Sequence, residues 1–122
     1  MTMSYVDGFV LPVPTKNLDR YREMATIAGK TWMKHGALQY VETVAQDTTQ
    51  HEFGLPFTKA FDVRPEETAV FAYIVYKNRE HRDEVNKKVM DDPAMKAMGD
   101  TYADVFDCNR MAYTGFETIV EM

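Results

Sequence analysis

The stretch "TAVFAYIVYK" (residues 68–77) constrains the fold of this chain more than any other. Its β-branched and aromatic residues mark a strand, and that strand is apolar at both parities: Phe71, Tyr73 and Val75 oppose Val70, Ala72 and Ile74. "SYVDGFVLPV" (4–13) has the same property, with Tyr5, Phe9 and Leu11 set against Val6 and Val10. Both segments therefore belong in the middle of a sheet whose two faces need cover. A wet face would forgo roughly 1.5 to 3 kcal/mol for each large side chain left on it.

The remaining segments supply cover for one face. "PVPT" ends the first strand, and Thr15 stands where it would cap a helix beginning near Lys16. There Leu18, Tyr21, Ala25, Ala28 and Trp32 recur every three or four residues, with His35 three further on and Gly36 placed to end the helix in a left-handed conformation. From Ala37 to Asp47 the chain alternates, with Leu38, Tyr40, Glu42 and Val44 on one face of a second strand. Residues 48–57 read as a polar loop, and "TKAFDV" as a short extra strand. After residues 68–77, Asn78 caps a charged helix in which Glu84 and Lys88 are spaced to pair. "DDPAMKAMG" restarts a short helix with Asp92 as cap and Pro93 in its first turn, and an irregular stretch leads to a last strand over 110–121. The order βαββαβ predicts an α+β, ferredoxin-like protomer with a four-stranded antiparallel sheet and both main helices on one face. A second copy of the sheet is the simplest cover for the other face, so a homodimer is expected.

At 122 residues, with no repeats or low-complexity linkers, residues 1–122 are expected to form a single domain. Fourteen Lys and Arg against nineteen Asp and Glu give a formal charge of -5, and the basic residues are scattered, which argues against nucleic acid and anionic membranes as partners. A lone Cys108 closes no intrachain disulfide, and no N-terminal apolar run has the length and flanks of a signal peptide or membrane span. A cytoplasmic location is expected.

Four ordered segments, "YVDGF", "GALQYVE", "DPAMKAMG" and "FDCNRMAYTGFE", together resemble the YbaA-like bacterial proteins, a family built on a domain of unknown function within the dimeric α+β barrel superfamily. The resemblance spans nearly the whole chain. It implies a ferredoxin-like protomer whose sheet packs on that of a symmetry mate. Superfamily relatives include cofactor-free monooxygenases of aromatic substrates, chlorite dismutase-like haem proteins and small degradative enzymes, but none of their catalytic residues carries over by motif. "DCNRM" departs from the glycine and Lys-Arg pair of many family members, and the loop "DTTQHEFGLPFTKAF" is individual.

Five residues stand out as site candidates, each with a structural alternative. Glu42 and Asp7 share the parity of apolar strand residues, where a charge needs a partner: either ion pairs and hydrogen bonds hold them, or they serve a ligand cavity. Gly8 permits a bulge that would aim Asp7. His35 sits where an imidazolium favours a helix end, or where it would transfer a proton. Trp32, at the end of the apolar stripe, is packing or a stacking wall for a planar ligand, and Tyr40 on Glu42's face is a second candidate for that wall. Met90, Met95, Met98 and Met111 fill core space or line an adaptable pocket. His51, Glu52 and His81 lack the spacing of a metal site, and the isolated glycines of "DGF" and "TGFE" form no phosphate loop, so neither metal nor cofactor is expected. These residues suit a cofactor-free enzyme that acts on a small molecule, aromatic by the superfamily analogy, through proton transfer or oxygenation. The alternative is a non-catalytic ligand-binding or structural homodimer.

Overall fold

Residues 3–122 are described by a computed structural model. The first strand, β1 (Tyr5–Pro14), runs through a 3-10 turn (Thr15–Asn17) into α1 (Leu18–Lys34), followed by β2 (Gln39–Val44). A short helix α2 (Phe57–Ala60) precedes β3 (Glu67–Tyr76), and α3 (Arg79–Met90), α4 (Pro93–Met98) and α5 (Thr101–Val105) lead to β4 (Ala112–Glu117). The four strands are antiparallel in the order β2-β3-β1-β4, the arrangement of a ferredoxin-like α+β fold. The two doubly apolar segments are the central strands. Among the described residues no helix is long and apolar enough to cross a membrane.

Residues paired directly across an antiparallel ladder share a face, so the register sorts the side chains. Asp7 faces with Ile74, Phe9 with Ala72, Leu11 with Val70, and across β3 these meet Tyr40 and Glu42. This face carries the core: Leu11, Val13 and Val70 pack with Tyr21, Met24 and Ala28 of α1, while Ile74 and Tyr76 pack with Val85 and Val89 of α3. Trp32, Tyr40, Phe9 and Met95 touch both clusters and join them. Met98 is buried in this core, whereas Met90 is exposed.

The opposite face presents Val6, Val41, Phe71, Tyr73 and Phe116, with Phe71 and Phe116 exposed. Part of it is covered from within the chain, because Phe57 of α2 meets Phe71 edge-on with ring centroids 6.0 Å apart.

Local signals explain the element ends. Gly36 takes φ 108, and the Gly36 and Ala37 amides donate to Met33 and Trp32, a glycine-closed helix end with buried Ala37 just beyond. Asn78 and Asp92 accept from His81 and Ala94 as helix caps. Other expectations are corrected. Thr15 makes no cap; its amide joins β1 to the start of β3 by donating to Glu66, and α1 begins at Leu18. "TKAFDV" is not a strand, since Pro56 accepts from Lys59 and Ala60 and starts α2 instead. Glu84 and Lys88 form no ion pair among the described residues. No bulge occurs at Gly8, whose register with Tyr73 and Thr114 is unbroken. Instead, the Phe116 ring lies close over Gly8. The stretch before β4 is partly helical, and β4 is shorter than its sequence pattern.

Candidate functional site

A cleft of about 650 Å³ lies between α1 and β2. One of its walls depends on a glycine. Gly29, inside α1, costs about 1 kcal/mol relative to alanine in a helix interior. A Cβ at this position would stand 2.8 Å from the Tyr40 ring, so only glycine lets that ring lie against the helix. Tyr40, half-buried, then donates its hydroxyl to Glu42 Oε2 at 2.6 Å, and Tyr21 donates from α1 to Glu42 Oε1 at 2.7 Å. Leu18, Ala25, Val44 and Val70 supply apolar lining around them.

Glu42 makes no ion pair among the described residues; both its oxygens are held by neutral hydroxyls. Burial pushes its carboxyl above the ordinary value of 4.5, and the two tyrosine bonds oppose that rise without cancelling it. Burial, then the charge of Glu42, raises both tyrosines well above their usual range, so they stay protonated as donors. Tyr102 is shifted the same way for the same reasons. A carboxylate in this setting accepts a proton more readily than one in water.

Asp7 has a different environment. Arg82 of α3 donates to its Oδ1 at 2.7 Å, and the same guanidinium lies 5.0 Å over the Tyr5 ring and bonds Asp83. Burial still raises the Asp7 carboxyl; the charge of Arg82 and bonds from Asn86 and Tyr76 act against it. The Trp32 indole N–H donates to both Tyr76 Oη (3.0 Å) and Asn86 Oδ1 (3.1 Å), so Trp32 belongs to this buried network. No buried polar side-chain atom among the described residues lacks a partner.

His35 lies in a third place. Its Nε2 is 2.7 Å from Asp92 Oδ2, and because a carboxylate only accepts, the imidazole donates there. Lys34 adds a contact at 3.2 Å. The His35 bond first, then the Ala94 amide, hold the Asp92 carboxyl down at about 2. The result is a clasp between the end of α1 and the start of α4.

Of the five residues singled out in the sequence, the structure thus brings two, Glu42 and Tyr40, to the cleft. Trp32 touches Tyr40, with ring centroids 6.0 Å apart, without lining the cleft, while Asp7 and His35 are engaged elsewhere. Sequence reasoning missed Tyr21, Gly29, Arg22 and Lys30. Gly29 left one signal, a glycine in a helix interior where nothing local requires it. Among the described residues no three His, Cys, Asp or Glu side chains gather as a metal site would require.

The fold and cleft define a ferredoxin-like α+β protein with a half-buried, neutrally bonded carboxyl between its first helix and an edge strand. The chain belongs to the family described as protein of unknown function (DUF1428), whose model matches residues 4–108. It is 42% identical over 119 residues to the uncharacterized protein YbaA of Escherichia coli K12, covering 98% of this chain and 99% of that one. Among solved structures it is similar to a Nitrosomonas europaea protein provisionally named an antibiotic biosynthesis monooxygenase, at 14% identity and TM-score 0.62, covering 98% and 93% of the two chains. It is also similar to SnoaB, a cofactor-independent oxygenase from Streptomyces nogalater, at 7% identity and TM-score 0.55, covering 98% and 96%. At such identities the two likenesses speak for the fold.

Proposed function

We propose that the α1–β2 cleft binds a small organic molecule and that Glu42 exchanges a proton with it, without a bound cofactor. The observation that carries this reading is the pairing of Glu42 with two neutral tyrosines in a largely apolar cleft. A carboxylate whose pKa burial has raised is a stronger base than usual, and fixed hydroxyls position it. The proton leaves a carbon or oxygen of the ligand and forms an O–H bond on Glu42, with one tyrosine hydroxyl turning away as that oxygen becomes a donor. The ring of Tyr40 offers a face for an aromatic ligand. The structural likeness to a cofactor-independent oxygenase supports oxygenation, with dissolved dioxygen as the oxidant, as a later fate of a ligand so deprotonated.

A specific observation favours the second reading, a non-catalytic binding protein: both Glu42 oxygens are already occupied. Native mass spectrometry of protein purified from its own host should reveal a retained small molecule. That molecule, returned to the protein in deuterium oxide, should exchange a hydrogen faster with wild type than with Glu42→Gln. Retention without faster exchange would establish the binding reading, and no retained molecule in wild type would count against both.

We also infer a homodimer through the sheet face that carries Val6, Val41, Phe71 and Phe116, because exposed Phe71 and Phe116 lie there together with half-buried Val6 and Val41. A stable interface of this kind buries more than about 1,200 Å². Light scattering that finds a monomer at micromolar concentration would remove it.

A further inference from the structure

The rim of the cleft carries charge of one sign. Arg22, Thr26 and Lys30 follow one another at four-residue intervals on α1, so each stands about 6 Å along the helix from the next on the same side. All three line the cleft, and among the described residues the only acidic one lining it is Glu42. Thr26 turns its hydroxyl back to the Arg22 carbonyl, which leaves the two cations as the rim's charged groups. Arg22 has Asp19 at 3.8 Å, but both side chains are largely in water, where such a pair contributes little. Lys30 has no ion-pair partner among the described residues. A chain of net charge -5 thus sets two cations along the α1 side of this opening. Exposed Met33 and Val44 stand beside them at the mouth.

From this arrangement we infer that the ligand of the cleft is an organic acid, with a flat apolar body against Tyr40, Ala25 and Val70 and an anionic group at Arg22 and Lys30. The inference rests on the proposed cleft function and adds the charge of the ligand to it. A cationic ligand would meet two like charges on entry, and a neutral one would leave the rim without a role. An acid enters along the field of the rim and turns its apolar end inward. Its charge then stays at the mouth, away from Glu42, whose own oxygens are enclosed by Tyr21 and Tyr40. A volume of about 650 Å³ accommodates a two-ring acid.

The test uses 2-naphthoate and its neutral isostere 2-naphthamide, titrated into the full-length protein and followed by amide NMR. Both should shift the Gly29 and Tyr40 amides, and the acid should bind about fivefold more tightly, an advantage that shrinks with added salt. In the double variant Arg22→Gln with Lys30→Gln the advantage should vanish while the amide's affinity stays put. Equal affinities in wild type, or a preference for the acid that survives the double variant, would overturn the inference and leave the cleft function standing. No shift at Gly29 or Tyr40 with either compound would remove the cleft function and this inference together.

Discussion

Asp7 and Glu42 are both carboxylates on the helix-facing side of the same sheet, the first buried and the second half-buried, and both are raised in pKa by burial. Their partners differ. Asp7 has a guanidinium, so its charge is compensated and its proton is of no further use. Glu42 has two neutral phenols, so its charge is solvated by dipoles without being cancelled. A buried ion pair fixes one ionisation state, whereas a carboxylate held by neutral donors beside a cleft can still change state when a ligand arrives. Burial raises the pKa of both residues; the charge of the partner separates them.

The largest test breaks the ion pair. Asp7→Ala should destabilise the protein by about 3 kcal/mol in urea unfolding, the lower end for one partner of a buried pair, because Arg82 keeps 18% exposure and a second carboxylate in Asp83. Ligand binding in the cleft should persist where the variant is folded. A loss below about 1 kcal/mol would place the pair with ordinary surface bridges and void the contrast.

A middle-sized test disturbs the Glu42 side without touching the carboxylate. Gly29→Ala drives a methyl against the Tyr40 ring; overpacking costs about 1 to 3 kcal/mol, and the better helix propensity offsets about 1 of it. Net stability should therefore change by no more than about 2 kcal/mol, while the Tyr40 ring resonances move and binding weakens. Unchanged ring resonances would show that the wall does not depend on this glycine.

The smallest effects are in pH dependence, where the sign carries the information. The folded-state pKa of Glu42 is raised above 4.5, so its contribution is complete below that value and is lost as pH rises through the raised one. Relative to wild type, Glu42→Gln should therefore gain stability as pH is taken upward from 4.5. Asp92 supplies the opposite sign as an internal control. With its carboxyl held at about 2 from an ordinary 3.8, its contribution is present above 3.8 and lost as pH falls through about 2, a dependence that Asp92→Asn should erase. If Glu42→Gln produced no slope, its carboxyl would be as well solvated as a surface group.

The fold was largely legible because its signals are local. Alternation over 68–77 and 4–13, the spacing of Leu18, Tyr21, Ala25 and Ala28, and the stop at Gly36 each depend on a few neighbouring residues, and backbone geometry converts them directly into strand faces, a helix stripe and a helix end. Glu42 was legible for the same reason, since strand parity alone puts it on an apolar face. Its site was not. Tyr21 lies 21 positions from Glu42 and looks like any other member of an apolar stripe, because periodicity locates a ring and says nothing about where its hydroxyl points. Asp7 and Glu42 carry the same parity signal; Tyr40 sits beside Glu42 on the same strand, but only the docking of α3 gave Asp7 its cation and only the docking of α1 gave Glu42 its second phenol. His35 was placed correctly at a helix end, yet its partner Asp92 comes from an element 57 residues away. The sequence by itself determined which side of each element is apolar; the tertiary structure decided which polar groups meet, because hydrogen-bond partners are set by distances of about 3 Å between side chains that only the packed helices and sheet bring together.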